Sequence, residues 1–308
     1  QPSPVEENPG LLIRDCLHFS DTTLLIPNYL LRFLRFFDGC HTRGQLVEEI
    51  ARSANRETAA GLEAHLLETL DSAGFLESES FLARREAVLE EFRRSPVRTA
   101  THAGSAYPGT AEEIRAYFDA NLRIEPFRED PSQRPMVGIA APHISFEGGW
   151  SSYSAMASAL RNAAPDSLFV VMGTSHYGER DQFGLTAKAF ETPLGTTRTE
   201  PDLAKRLAEA SPAASIWEDY CHAVDHSLEF HVLLLQHLVR PDVRVLPILV
   251  GGFGSAMRAG TAPEANPALA RLFSALRDLA QEEGRKLFWL LSVDMAHMGE
   301  RYGDEFAA

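Results

Sequence analysis

Three apolar runs in the latter part of the chain each stop at a histidine: Ala140-Ala141-Pro142-His143, Met172-Gly173-Thr174-Ser175-His176 and Ser292-Val293-Asp294-Met295-Ala296-His297. Short continuous apolar runs read as buried parallel strands, and open α/β sheets gather their ligands where such strands end. This confines the chain to a layered α/β architecture with one cleft, lined by several imidazoles and a carboxylate, at the carboxyl edge of its sheet.

The alternation supports that class. Strands are predicted over Met136–Ala141, Ser167–Met172, Gln182–Ala187, Val243–Val250 and Lys286–Val293. Helices are predicted near Ala111–Leu122, Trp150–Asn162, Pro201–Ala210, Ser227–Leu238 and Pro267–Glu283. Strands alternating with helices argue a parallel or mixed sheet flanked by helices. Pro247 inside its run predicts an edge strand or a bulge, because proline cannot donate to a ladder. Gly251 to Asn266, rich in Gly, Ala and Pro, reads as a loop.

Residues 1–95 differ in character and predict a small helical or winged-helix domain, with the α/β domain over 96–308. After an amphipathic stretch, a helix is expected around Ile26–Phe37, ending at Asp38-Gly39. Thr42 opens a second helix, with Gln45 three residues on as a capping box. A third helix, Glu57–Ala73, carries Leu62, Leu66 and Leu70 at helical spacing and stops at Gly74. The charged segment from Glu77 to Thr99 predicts a linking helix ending before Pro96.

Charge sets the partners. The 29 basic and 43 acidic residues leave a net −14, opposing attraction to nucleic acid or anionic lipid. Residues 1–95 hold ten arginines and no lysine against sixteen acids, so a DNA-binding winged helix has the wrong sign and protein or peptide docking fits better. No run of apolar residues is long enough to span a membrane. Cys16, Cys40 and Cys221 form neither a disulfide framework nor a zinc pair, and a cytoplasmic location is expected.

His143 and His176 together supply two imidazole ligands, which suit Fe, Zn, Cu or Ni better than Mg or Ca. A carboxylate would complete the two-histidine, one-carboxylate arrangement of non-haem Fe(II), and Asp294 and Glu229 are placed to serve as ligands or as acceptors for an imidazole N–H. His297 sits where a general acid or base belongs. His226 and Glu229, three apart at a helix start, would share one face and point into the same cleft. A single histidine after a strand is usually structural; three of them reverse that reading. His18, His41, His65, His222, His231 and His237 read as surface or structural groups.

The motifs His102-Ala103-Gly104-Ser105-Ala106-Tyr107-Pro108, Ala141-Pro142-His143, Gly173-Thr174-Ser175-His176, Thr192-Pro193-Leu194-Gly195, Asp225-His226-Ser227-Leu228-Glu229, Leu246 to Gly251 and Ser292 to Gly299 occur in the order of the Memo family. Its bacterial members are also called AmmeMemoRadiSam system protein B, and the family is similar to the class III extradiol dioxygenases, a LigB-like fold. The resemblance implies metal ligation by His143 and His176, with Asp294 and His297 lining the same pocket. It also implies a divalent transition metal, iron first and copper next, and a redox or dioxygenase-type activity; a non-catalytic peptide-binding or protein-binding scaffold with a vestigial pocket is the alternative. The pattern Phe37 to Thr42 and Leu70 to Leu76 resembles the PqqD-like domains that hold peptides for radical SAM enzymes, which makes a radical SAM protein or a peptide the implied partner.

Two departures stand out. Where the family pattern continues Ala-Gly-Tyr after the proline-histidine pair, this chain reads Ile144-Ser145-Phe146-Glu147-Gly148-Gly149. The third family ligand is a cysteine well beyond the Asp294/His297 motif, whereas this chain stops at Ala308, so a C-terminal truncation is expected and the third ligand is not visible.

Overall fold

A computed structural model describes residues 9–126, 136–160, 166–295, 297–300 and 303–305. The chain divides into two compact units, Gln1–Glu91 and Phe92–Ala308. The predicted end of one helix at Asn162, and the last residues 306–308, lie outside the described residues.

The first unit opens with an antiparallel hairpin of β1 (Gly10–Arg14) and β2 (Thr23–Pro27). The helix expected from Ile26 is therefore shorter: after β2 come a 3-10 turn at Asn28–Leu30 and α1 (Leu31–Leu34). Ile26 and Phe33 are buried with Leu46, Ile50 and Leu66 in one small core. Pro27 ends the extended segment, and Leu24 to Ile26 alternate in burial as a strand does, a period the helical reading overlooked. Helix α2 (Arg43–Ala51) begins with the predicted capping box: Gln45 Oε1 accepts from Thr42 N at 2.7 Å, and Thr42 Oγ1 accepts from Gln45 N at 3.3 Å. Thr42→Ala is expected to cost ~1 kcal/mol, read as a lower urea midpoint for this unit. Helix α3 (Arg56–Ser72) is capped by Asn55, and α4 (Glu79–Arg94) follows.

The second unit adds β3 (Val97–Thr99), α5 (Ala111–Asn121), β4 (Gly138–Ala141), α6 (Phe146–Leu160), β5 (Leu168–Thr174) and β6 (Phe183–Leu185). The short strands β7 (Ala189–Thr192), β8 (Gly195–Thr196) and β9 (Arg198–Thr199) precede α7 (Pro201–Ala210), β10 (Ser215–Trp217), α8 (Cys221–Val224) and α9 (His226–Leu238). β11 (Arg244–Val250), α10 (Gly254–Ala259), α11 (Pro267–Glu283) and β12 (Leu287–Ser292) close the order. The main sheet runs β10-β6-β11-β5-β12-β4, with β9 also on β11, and β3-β7-β8 form a second, small sheet.

Strands β4, β12, β5 and β11 are mutually parallel, so Ala141, Ser292, Thr174 and Val250 lie at one end. Alternation along them separates two cores. Phe169, Val171, Val245, Leu249, Phe288 and Leu290 face one, shared with α5, α6 and α9; Leu168, Val170, Leu246, Ile248 and Leu287 face the other, shared with α7 and α11. Helix α11 seals that second face with Leu269, Leu272, Leu276 and Leu279, whose spacing of three and four places them on one stripe.

Pro247 does not mark an edge. β11 is interior, paired to β5 along its whole length. On its other flank β9 pairs with Arg244 and Val245, and β6 pairs with Ile248 to Val250. Pro247 falls in the gap between them, where no ladder requires its missing N–H. The stretch read as a loop after Gly251 also carries the short helix α10 and a 3-10 turn at Pro263–Ala265, both without a buried residue. No helix among the described residues is long and apolar enough to cross a membrane.

Candidate metal centre

The shared end of the parallel strands brings His143 and His176 together, because each follows its strand, β4 or β5, by two residues and only β12 separates the two. The third group arrives on a helix. His226 is the first residue of α9, and α9 is held against the strand ends by its second residue, Ser227. Ser227 Oγ donates to the Thr174 carbonyl at 2.9 Å, and the Ser227 carbonyl accepts from Ser292 Oγ at 2.5 Å. Gly173 makes this approach feasible: a Cβ there would lie 2.4 Å from Ser227 Oγ.

One potential ligand atom from each of His143, His176 and His226 lies within 4.8 Å of the others. The His176 and His226 rings stack with centroids 4.7 Å apart, and His143 sits edge-on to them at 5.2 and 5.4 Å.

Two of these rings have their orientation and tautomer fixed from behind. Ser292 spends its hydroxyl proton on Ser227, so toward His143 Nδ1, 3.1 Å away, it can only accept. His143 thus carries its proton on Nδ1 and leaves the Nε2 lone pair open. His176 Nδ1 lies 3.1 and 3.2 Å from the two oxygens of Asp225, which gives the same tautomer. Metal-ligating histidines characteristically donate their other ring N–H to a carboxylate or similar acceptor. The backbone is pinned too: His143 N–H donates to Asp294 Oδ1 at 2.7 Å, and His176 N–H to Asp225 Oδ2 at 2.9 Å.

Charge follows burial. Desolvation lowers the His143 pKa and, against the opposing charge of Asp225, pushes His226 down to about 4, so both rings are neutral near pH 7 and available as ligands. The Asp225 hydrogen bond instead raises His176. Burial opposes ionisation of Asp225, but its bonds to His176 and to the Ser227 N–H outweigh that and bring it down to about 2. Three convergent imidazoles, two of them with Nε2 left open and two held neutral by burial, form a donor set that fits a transition metal.

The remaining sequence-derived residues divide. Asp294 and His297 stay beside the centre: their side chains approach at 3.3 Å, and Asp294 Oδ2 lies 3.7 Å from His143 Nε2. Both line a cavity of about 400 Å³ with Ala140, Pro142, Ile144 and Met295. Glu229 is placed elsewhere, which corrects its expected position in the cleft. It is fully buried one turn along α9, ion-paired to Arg98 and bonded by the Tyr107 hydroxyl. The N–H groups of Thr101 and His102 and the His102 ring also donate to it at 3.1 to 3.2 Å. Burial alone would push its carboxyl up; His102, Arg98 and Tyr107 hold it far below the usual carboxylate range. The third donor absent from the sequence reading is His226 itself, expected as a catalytic, cleft-lining group beside Glu229 rather than as a ligand.

Arg98, Asp225, Ser292 and His102 were not singled out as site residues. Asp225 had a signal, a carboxylate just before a predicted helix. Ser292 had a fainter one, a lone hydroxyl closing an apolar strand.

A family model described as Memo-like protein matches residues 98–308. The chain belongs to the Memo family. A MEMO1 family protein of Pyrococcus furiosus is 30% identical over 213 residues, 67% of each chain. One from Thermus thermophilus is 26% identical over 240 residues, 78% of this chain and 66% of its own length. One from Aquifex aeolicus is 23% identical over 295 residues, 95% of this chain and 73% of its own. That last alignment is long enough to include the first unit as well as the Memo-like one.

In this Memo-like chain Asp225 serves both as helix cap and as ring acceptor. Asp225→Asn is expected to weaken metal binding roughly 10–100-fold, read by chelator competition. It should also flatten the acid limb of stability. A carboxyl lowered from 3.8 to about 2 stabilises the fold above its unfolded value, and that contribution is lost as pH falls through about 2.

Proposed function

We propose that this Memo-like protein is a transition-metal protein in which His143, His176 and His226 hold the ion. The observation that carries the reading is the convergence of three imidazoles, two of them with the tautomer that leaves Nε2 open. Iron is the first candidate and copper the second, since imidazole suits both. Bound, such an ion would supply Lewis acidity and one-electron redox capacity. The chain's own groups would orient the ligands through Asp225 and Ser292, fix the His143 backbone through Asp294, and offer His297 as the proton acceptor beside the cavity.

The LigB-like architecture is supported by the parallel strands that deliver histidines to one edge, and this favours redox or dioxygenase-type chemistry over hydrolysis. Fold analogy alone does not establish a reaction. Loading the protein anaerobically with Fe(II) and recording oxygen uptake with catechols tests it: uptake that depends on His297 supports turnover. Full metal loading without uptake would favour a non-catalytic scaffold, a reading that draws on one observation, that the Asp294/His297 cavity is not lined by the three imidazoles.

We assign the first unit, Gln1–Glu91, a docking role for a radical SAM protein or a peptide, in the manner of PqqD-like domains. The free cysteines Cys16, Cys40 and Cys221 suit a reducing cytoplasm. Co-purification with a radical SAM protein, lost on deleting residues 1–91, is the expected result.

A further inference from the structure

The first unit contains a cavity of about 520 Å³ that no part of the metal centre uses. Its lining is mixed: Phe36, Phe37, Leu67 and Phe75 supply an apolar part, all four only half-buried, beside polar and charged side chains. Its volume is in the range of pockets that enclose a ligand of one or two large side chains. The rim is anionic. Asp38 and Glu77 stand on it, both exposed. The His41 ring and the Cys40 and His41 N–H groups bond to the Asp38 carboxylate and hold it down to about 2, so it stays charged at any physiological pH. Arg43 also faces the cavity, with its guanidinium engaged by Glu63 at 2.5 and 3.1 Å. The unit as a whole has eight arginines and no lysine against sixteen acidic residues, so its long-range field has the same sign as the rim.

We infer that this cavity docks a partner segment in which an apolar anchor, an aromatic or leucine side chain, is flanked by lysine or arginine. The anchor fills the Phe36/Phe37/Leu67/Phe75 walls, and the flanking cations meet Asp38 and Glu77. This rests on the docking role proposed for the first unit and is independent of the metal centre. Burial of the anchor supplies affinity, while the rim charges supply choice of partner and speed of encounter.

The test uses the full chain and two short fluorescein-labelled peptides with the same Leu-Phe anchor, one flanked by Lys/Arg and the other by Asp/Glu. Fluorescence anisotropy is expected to show binding of the basic peptide, weakening with salt, and little binding of the acidic one. The rim variant Asp38→Asn/Glu77→Lys keeps an acceptor for the Cys40 N–H. It should weaken the basic peptide roughly three- to tenfold and improve the acidic one, a change of preference that misfolding cannot produce. Leu67→Asp should abolish binding of the basic peptide, with circular dichroism reporting the fold. Equal binding of both peptides, or no change of preference in the rim variant, overturns the inference. Metal content of each sample is measured alongside, so failure of the metal reading leaves the peptide result standing.

Discussion

Replacing His143 and His176 together by alanine is expected to reduce metal content from stoichiometric to background, measured by element analysis after equal loading and desalting. The two residues supply two of the three convergent imidazoles, and a single remaining histidine is an ordinary weak site. His143 is buried, so far-ultraviolet circular dichroism is recorded alongside to separate loss of a ligand from loss of the fold. The graded comparison is as informative as the loss. Ser292→Ala removes the acceptor behind His143 but leaves every ligand, and should cost only about 10–100-fold in affinity. His226→Ala should cost more than that; retention of wild-type affinity in that variant would remove His226 from the ligand set and reopen the question of a third donor.

The second large effect concerns stability. Arg98→Met is expected to destabilise the protein by about 3–5 kcal/mol, because it leaves a buried carboxylate without its counter-charge. Arg98 and Glu229 are 1% and 0% exposed, and the groups that remain on Glu229, the Tyr107 hydroxyl, the His102 ring and the Thr101 and His102 N–H groups, do not replace a permanent cation. Arg98 also donates to the carbonyls of His222 at 2.7 Å and Asp225 at 3.1 Å, so its loss leaves two buried acceptors short. Urea denaturation of Arg98→Met, Glu229→Leu and the double variant reads the pair directly. The double variant should recover part of the loss, since removing both charges also removes the desolvation cost. A double variant as unstable as the sum of the singles would show that the residues act separately.

Much of the second unit was legible because its strands are buried on both faces and therefore appear as unbroken apolar runs. Helices α7 and α11 begin and end where proline and glycine or a polar turn predict. The site was legible only in part. His143 and His176 follow strand ends in a linear pattern, so the sequence points to them. That Glu229 faces Arg98 rather than the cleft depends on a contact across 131 residues, which no local pattern encodes. In the first unit the hairpin leaves little trace in the sequence because Thr23–Pro27 runs straight into Leu30–Leu34, and a five-residue strand beside a short helix offers too few residues for either period to dominate. Pro247 teaches a narrower lesson: the rule about proline applies to one hydrogen-bonding slot, and an interior strand with two partial neighbours can leave such a slot open.

Asp225 makes the first turn of α9 and the grip on His176 a single event. Fraying of that turn would release the carboxylate from the Ser227 N–H, swing His226 away and loosen His176 at the same time. The exchange lifetime of a bound ion would then be set by how often this turn opens, rather than by the strength of any one metal–nitrogen bond. Since α9 is buried almost from end to end, such openings should be rare, and slow metal exchange would accompany slow hydrogen exchange at the Ser227 amide.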